Sequence, residues 1–165
     1  MKTKEVVTSC EEIEKVLREG NLGFLGLSDG DVPYVVPLTY IYRDGKIIFH
    51  CALTGKKLDY LQANNKVCFT VARQEGTPEQ HEKNNACLIH AESVMCFGTA
   101  RLVEDLTERH ALLNEINKYF KPDAEELPFK RTKHCYAVEI AISEMTMRRE
   151  VNLIRQHWKY TFQVG

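Results

Sequence analysis

Two Asp-Gly pairs, Asp29-Gly30 and Asp44-Gly45, each lie between runs of β-branched and aromatic residues. That pattern is the strongest short-range signal for a hairpin, because the favoured two-residue turns need a positive φ that Gly and Asp tolerate. A hairpin forces its two strands to run antiparallel. The rest of the chain continues in the same manner, with strand after strand in hairpin succession and no regular βαβ alternation. The expectation is a mainly β protein, an antiparallel barrel or sheet with helices at its ends.

A first helix is expected after Thr8 or Ser9, either of which can cap it, with Glu11 and Glu12 in its first turn. Ile13, Val16 and Leu17 fall on one face, and Gly20 stops it. Asn21–Leu27 reads as a strand. Val32–Tyr42 is β-branched and aromatic but carries Pro33 and Pro37. Proline cannot donate to a ladder, so this segment should bend, bulge or lie at a sheet edge. Ile47–Ala52 is a strand, and Thr54-Gly55 opens a short helix to about Ala63 with Leu58 and Leu61 inward. Lys66–Ala72 is a further strand. Residues 73 to 90 are polar and aperiodic, which predicts a long loop. Glu92–Val103 is a strand, and Thr107–Phe120 a helix with Leu112, Leu113, Ile116 and Phe120 on one face. Pro122 and Pro128 bracket a connector, and His134–Met145 forms a last long strand. That makes about seven strands and two or three helices. No repeat or linker divides the chain. A single domain is expected over residues 1–165, with the tail from about residue 150 packing on the barrel or on a partner.

Composition narrows the function classes. Apolar residues at 44% and charged residues at 27% suit a globular protein and exclude a disordered or collagen-like chain. A net charge of −1, with no basic block, argues against nucleic-acid binding by bulk phosphate neutralisation. No apolar stretch suits a signal peptide, and none approaches the ~20 residues of a membrane helix. The expected location is the cytoplasm. Six cysteines without a CxxC pair then read as free thiols, with Cys68 and Cys96 packed in strands.

Several motifs fail on context. Gly26-Leu27-Ser28-Asp29-Gly30 matches a nucleophile elbow, but a strand follows it where the elbow needs a helix. His90-Ala91-Glu92 starts a zinc-deaminase signature that no PCxxC completes. Cys87, His90 and His81 lack a fourth ligand at standard spacing, so no metal site is assigned. No Gly-rich dinucleotide or P-loop motif is present.

One segment carries chemistry. In Phe49-His50-Cys51-Ala52-Leu53-Thr54-Gly55-Lys56-Lys57-Leu58 a strand leads through a short connection into a helix with two lysines in its first turn. Cations are locally unfavourable there, and unpartnered N–H groups point outward. Together they want an anion, and phosphate suits the geometry best. The competing reading is a pair of solvated surface lysines.

The order Gly23-Phe24-Leu25-Gly26-Leu27, Pro33-Tyr34-Val35-Val36-Pro37-Leu38-Thr39-Tyr40, Phe49-His50-Cys51-Ala52, Gly55-Lys56-Lys57-Leu58 and Leu61–Phe69 resembles the pyridoxamine-phosphate-oxidase-like flavoproteins, in particular their nitroimidazole-resistance branch. Ser93–Ala100 and Ile142–Arg149 are similar to that branch's later strands, so the resemblance runs from about residue 10 to 150. It implies an FMN-binding split β-barrel, antiparallel and of Greek-key type, working as a homodimer with FMN between the subunits. By the same resemblance the family's phosphate-binding lysine falls on Lys57, with Lys56 beside it. Thr54 is the nearest hydroxyl to a phosphate-binding serine whose position Gly55 occupies. The strand around Val36, Pro37, Leu38 and Tyr40 would lie along the isoalloxazine ring, with His50, Cys51 and Ala52 as the adjoining wall. The arginine-rich substrate motifs of true pyridoxamine phosphate oxidases are missing.

The residues agree in part. Prolines at 33 and 37 free backbone groups that can bond a flavin edge. Tyr34, Tyr40, Phe49 and Trp158 can supply aromatic surface. Trp158, alone in a polar tail, needs a cover that a partner subunit or a flavin face would provide. The expected function is a flavin-dependent oxidoreductase that passes electrons between small molecules, including nitroaromatic acceptors, with no catalytic side chain assigned. The alternatives are a flavin-binding protein without turnover and a haem-handling barrel, the latter kept open by His81, His90, His134 and His157.

Overall fold

The computed structural model describes residues 5–7, in backbone only, and residues 9–163. Its elements in order are β1 (Glu5–Val7), α1 (Glu11–Glu19), β2 (Leu22–Asp29), β3 (Val32–Thr39), β4 (Ile41–Arg43), β5 (Lys46–Cys51), α2 (Lys56–Ala63), β6 (Lys66–Gln74), β7 (Glu79–Gln80), β8 (Cys87–Leu88), β9 (His90–Leu102), α3 (Leu106–Phe120), a 3-10 turn (Phe129–His134), β10 (Tyr136–Val151) and β11 (Ile154–Thr161). Nine strands form one sheet with the path β1-β11-β10-β9-β6-β2-β3, while β5 joins β10 and β4 joins β5. Every pairing is antiparallel except β1 with β11. The expected mainly β architecture with flanking helices is what forms.

The hairpins at the two Asp-Gly pairs form as expected. Asp44 and Gly45 both take positive φ, the requirement of a type I′ turn between β4 and β5. The β2–β3 turn slides by one residue, with Asp29 pairing Val32 and Gly30 and Asp31 as the central pair. The proline-bearing β3 lies at the end of the sheet path and pairs only with β2, where a missing donor costs least.

β10 organises the molecule. Its first part, Tyr136–Ala141, pairs with β5, and its second part, Glu144–Val151, pairs with β11 on the same edge. Its other edge follows β9 throughout, with a register shift between Ile142 and Glu144. The extra residue, Ser143, re-phases the strand. Val138, Ile140 and Ile142 are buried before it, and Met145 and Met147 after it. Ser143 Oγ donates to Phe97 O at 3.0 Å, and its own carbonyl accepts from Phe162 N at 2.9 Å. Gly98 faces the bulge, and a Cβ there would come within 2.3 Å of the Ala141 carbonyl oxygen. Only glycine permits that approach.

The main core joins Leu25 and Leu27 of β2, Phe69 and Val71 of β6, Val94 and Cys96 of β9 and the inward face of β10, closed at one end by Ile13, Val16 and Leu17 of α1. A second cluster packs Leu112, Leu113 and Ile116 of α3 on Ile41, Ile48, Val103 and Ala137. Strand β5 is therefore buried on both faces. Asp105 caps α3, its Oδ1 accepting from Glu108 N at 2.8 Å.

Several expectations need correction. Of the two proposed caps for α1, Thr8 lies outside the described residues. The position itself is held by Cys10 without a side-chain cap, and Ser9 Oγ reaches only Glu11 N at 3.4 Å. Gly20 closes α1 in an extended conformation. Residues 73–90 are not one loop: β6 runs to Gln74, and β7 and β8 form a small hairpin. The last long strand runs on to Val151, and the tail is strand β11. Phe120 is exposed, because the apolar face of α3 stops at Ile116. Cys68 is half-exposed on the outer face, whereas Cys96 is buried. Trp158 is buried by its own chain: it pairs with Met147, and the Arg149 guanidinium lies 4.9 Å over its ring. It needs neither partner nor ligand as cover.

Buried carboxylates at Glu92 and Glu150 tie together the upper half of the sheet, built on the second part of β10 with β9 and β11. Glu92, only 8% exposed, accepts from Arg149 Nε at 2.6 Å and Arg73 Nε at 2.8 Å. Burial pulls the Glu92 pKa up, but the two arginines outweigh it and hold the carboxyl below the usual range. A depressed folded-state value means stability that is whole at neutral pH and lost as pH falls through and below the ordinary glutamate range. Urea midpoints measured from about pH 7 to about pH 3 check this: the stability gap between wild type and Glu92→Gln should narrow on acidification. A gap that stays constant would remove Glu92 from the acid response.

Candidate functional site

Strand β5 ends at Cys51, and residues 52–55 turn the chain into α2. Gly55 occupies the N-cap position with φ 121° and ψ 167°. Only glycine adopts that region without strain. A serine there would be forced out of its allowed conformations, which gives the physical reason for glycine at this position. No side chain caps α2, and nothing lies within 4 Å of where a Gly55 Cβ would be. The first-turn N–H groups therefore open onto free space.

The two lysines are held over aromatic rings. Lys56 Nζ sits 4.9 Å from the Tyr34 ring centroid and 5.7 Å from that of Tyr60. Those two rings lie 5.1 Å apart. Lys57 Nζ lies 5.7 Å from the Phe49 ring. Cation–π contacts of this kind contribute about 0.5–1 kcal/mol each where solvent reaches them, enough to position an ammonium but not to neutralise it. Among the described residues neither lysine forms an ion pair. Two uncompensated cations and a positive helix end thus share one spot, and a bound anion relieves both.

Tyr34 links this spot to a groove of about 370 Å³ on the outer face of β2, β3, β6 and β9, whose walls include Gly26, Pro33, Val35, Cys68 and Phe97. That volume falls in the range of small-molecule sites. The groove is shallow and mostly apolar, with Ser28 and Lys66 as its polar members.

Ala52, Thr54, Lys56 and Lys57 come together at the loop–helix junction, with His50 and Cys51 leading into it. Ala52, Thr54, Lys56 and His50 are exposed and Lys57 is half-buried. Cys51 is buried. Burial raises its thiol pKa, and the nearby Lys57 charge only partly offsets this, so Cys51 is a protonated thiol at neutral pH. The stretch Val36–Tyr40 reaches the site less well. Val36 is half-buried and Pro37 exposed, but Leu38 and Tyr40 point into the core. The Tyr40 hydroxyl donates to Leu17 O at 2.8 Å and closes the end of α1. Strand β3 meets the lysines through Tyr34 instead. Trp158 stands apart, on β11. Tyr60 was not legible as a site residue, although its i, i+4 spacing from Lys56 is the signal that would have found it.

His81, Cys87 and His90 do not converge on a metal. His81 Nδ1 accepts from Lys83 N, and His90 pairs with Glu75 at 2.8 Å. Among the described residues no three metal-ligating side chains cluster, and no helix is long and apolar enough to cross a membrane.

A family model described as pyridoxamine 5′-phosphate oxidase matches residues 9–149. An uncharacterised protein of Rhizobium meliloti (strain 1021) is 35% identical over 66 residues, covering 40% of this chain and 43% of that protein, so the match spans less than half of its length. Among solved structures, a Bacteroides thetaiotaomicron VPI-5482 protein assigned to 5-nitroimidazole antibiotic resistance superposes with a TM-score of 0.74 at 24% identity, covering 86% of this chain and 84% of the other. The FAD and haem binding protein of Mycobacterium smegmatis superposes with a TM-score of 0.75 at 16% identity, covering 88% and 72%.

The thiols provide a check on the geometry around Lys57. Iodoacetamide at about pH 8 should label exposed Cys87 quickly and leave Cys51 and Cys96 unmodified in the folded protein. Fast labelling of Cys51, read by peptide mass, would mean that Lys57 activates it and that burial does not control its state.

Proposed function

The chain belongs to the pyridoxamine 5′-phosphate oxidase family, and on that premise we propose that it is a flavin-binding protein that takes FMN by its phosphate at the start of α2. The observation that carries this reading is the pair Lys56 and Lys57, without carboxylate partners, at an uncapped helix N-terminus with open space in front of Gly55. The residues present fit a phosphate monoester: two cations, free N–H groups and the Thr54 hydroxyl. Lys56 and Lys57 would hold the phosphate, and Tyr34 would direct the rest of the cofactor into the groove by Pro33, Val35 and Phe97. Cys51, protonated, adds no competing negative charge. The chemistry FMN supplies when bound is reversible electron transfer. The chain's part is to bind, orient and shield, so no catalytic side chain is assigned. Small molecules, nitroaromatic compounds among them, are the proposed electron acceptors, and a reducing cytoplasm suits six unpaired cysteines.

A homodimer is part of the proposal. The outer face of β2, β3 and β9 exposes Phe24, Val35, Met95 and Phe97, together with Leu22. Contiguous apolar surface of this kind marks an interface, and a two-fold arrangement would lay this stripe against its copy beside the groove. Sedimentation should give twice the monomer mass, and Phe24→Asp with Phe97→Asp should return the chain to monomer. A wild-type monomer at micromolar concentration would remove the dimer.

Retention of about one FMN per chain after desalting, read by visible absorption, tests the cofactor. Lys56→Ala with Lys57→Glu should weaken FMN binding by about a hundredfold or more while the melting temperature holds, since charge-assisted contacts to phosphate are strong and these side chains face solvent. Binding unchanged in that variant would remove the phosphate assignment. Reduction of the bound flavin by NADH or NADPH, and its reoxidation by a nitroimidazole, would separate an oxidoreductase from a flavin carrier. A colourless protein that gains a Soret band with haem would favour the haem reading.

A further inference from the structure

The Glu92 and Glu150 network leaves one arginine over. Glu150, a buried carboxylate, accepts from Arg155 Nε at 2.5 Å and Arg155 Nη2 at 3.2 Å. Both its oxygens are engaged. Arg148 reaches the same carboxylate only at 3.4 Å, through one Nη. Its Nε and its other Nη have no hydrogen bond among the described residues. The side chain is 50% exposed. It is a cation whose nominal partner is already satisfied.

Arg148 also stands where two cavities meet. One, of about 390 Å³, has Ala72, Ile89 and Ala91 as its apolar floor, with Arg73 and the arginine-paired carboxylates of Glu92 and Glu150 around it. The other, of about 380 Å³, is walled by Met95 and Thr146, with Trp158 buried behind it. Ser93 and Arg148 line both. They are paired across β9 and β10, and His157 of β11 pairs with Arg148 on the other side. The Ser93 hydroxyl has no hydrogen bond among the described residues. At this one point a guanidinium with a single long contact, to Glu150, and a hydroxyl with no hydrogen bond among the described residues stand between the two recesses. Lys159 adds no free charge, because Glu144 holds it at 2.8 Å.

We propose that this junction is a binding site for a small organic anion: a carboxylate or similar oxyanion carried on an apolar, preferably aromatic, body. The guanidinium presents a planar pair of donors that matches a carboxylate. Ser93 supplies a further donor, and the apolar floor of Ala72, Ile89 and Ala91, with Met95 beside it, receives the ring. The site is separate from the α2 lysines and does not depend on flavin. It borders the apolar stripe only at Met95.

The chain's single tryptophan, Trp158, is buried behind the second cavity and reports its occupancy through quenching by a nitroaromatic probe. The probe is 4-nitrobenzoate, with 4-nitrobenzamide as its neutral counterpart, titrated by calorimetry and by tryptophan quenching on the protein as purified. The carboxylate should bind about tenfold or more tightly than the amide, as a charge-assisted contact requires. Arg148→Gln should abolish that preference, and Arg148→Lys should keep part of it, because a lysine retains charge without the planar fork. Lys56→Ala with Lys57→Glu should leave the preference untouched. Equal binding of carboxylate and amide, or a preference that survives Arg148→Gln, would overturn the proposal. A preference lost in the lysine double variant instead would reassign the anion to the start of α2. If Arg148→Gln loses near-UV circular dichroism, Ser93→Ala with an intact spectrum takes its place, and it should weaken the carboxylate and spare the amide.

Discussion

One strand with a single extra residue holds two halves of this protein in phase. β10 buries Val138, Ile140 and Ile142 before Ser143 and Met145 and Met147 after it. Side chains alternate strictly along a strand, so the change of phase needs the inserted residue. The same strand changes partner at the same place, from β5 to β11. The β5 half brings in the connection to α2 and its two lysines. The β11 half brings in Trp158, His157 and Arg155. Neither cluster would face its groove if β10 kept one register.

Buried carboxylates recur along β10 and its neighbours. Carboxylates at Glu92 and Glu150 have lost most of their water, and the desolvation of each is offset only by close arginines. Such pairs add little net stability over a hydrophobic replacement, but they fix geometry. Arg149 shows the effect: it bonds Glu92 and Glu12 and lies over Trp158 at once. Three elements, α1, β9 and β11, are thereby aligned on one side chain. The β5 half joins apolar packing of α3 to a similar network, in which buried Glu139 is held by Lys46 and Arg101 at 3.1 Å each.

Local features were legible and assembled ones were not. Asp44-Gly45 announces its turn because the conformation resides in those two residues. Pro33 and Pro37 announce an edge because no central strand tolerates them. Lys56 and Lys57 could be placed at a helix start because the start and its charges are four residues of sequence. The partner switch of β10 is silent, since alternation before and after Ser143 reads as one strand or two without showing what lies alongside. Polar residues 73–90 hide a hairpin whose strands are two residues each. The family resemblance set Val36, Pro37, Leu38 and Tyr40 along the isoalloxazine ring. That Tyr40 turns inward to bond Leu17 O depends on where α1 packs, which no local pattern records. Arg148 carries no sequence signal either. Its spare charge exists only because Arg155, seven residues on and across a turn, takes the carboxylate first.

The bulge also decides where this lineage can change length. Removing one residue from 144 to 146 would turn Met147 to solvent and Arg148 into the core, so that an indel there inverts the face of the strand beyond it. The excursion between β6 and β9 carries no such phase. It pairs with itself in a two-stranded sheet, and residues gained or lost within it leave the alternation of both flanking strands intact. Divergence among relatives of this chain should therefore accumulate as insertions between β6 and β9 and as substitutions along β10, with the residue count of β10 held constant.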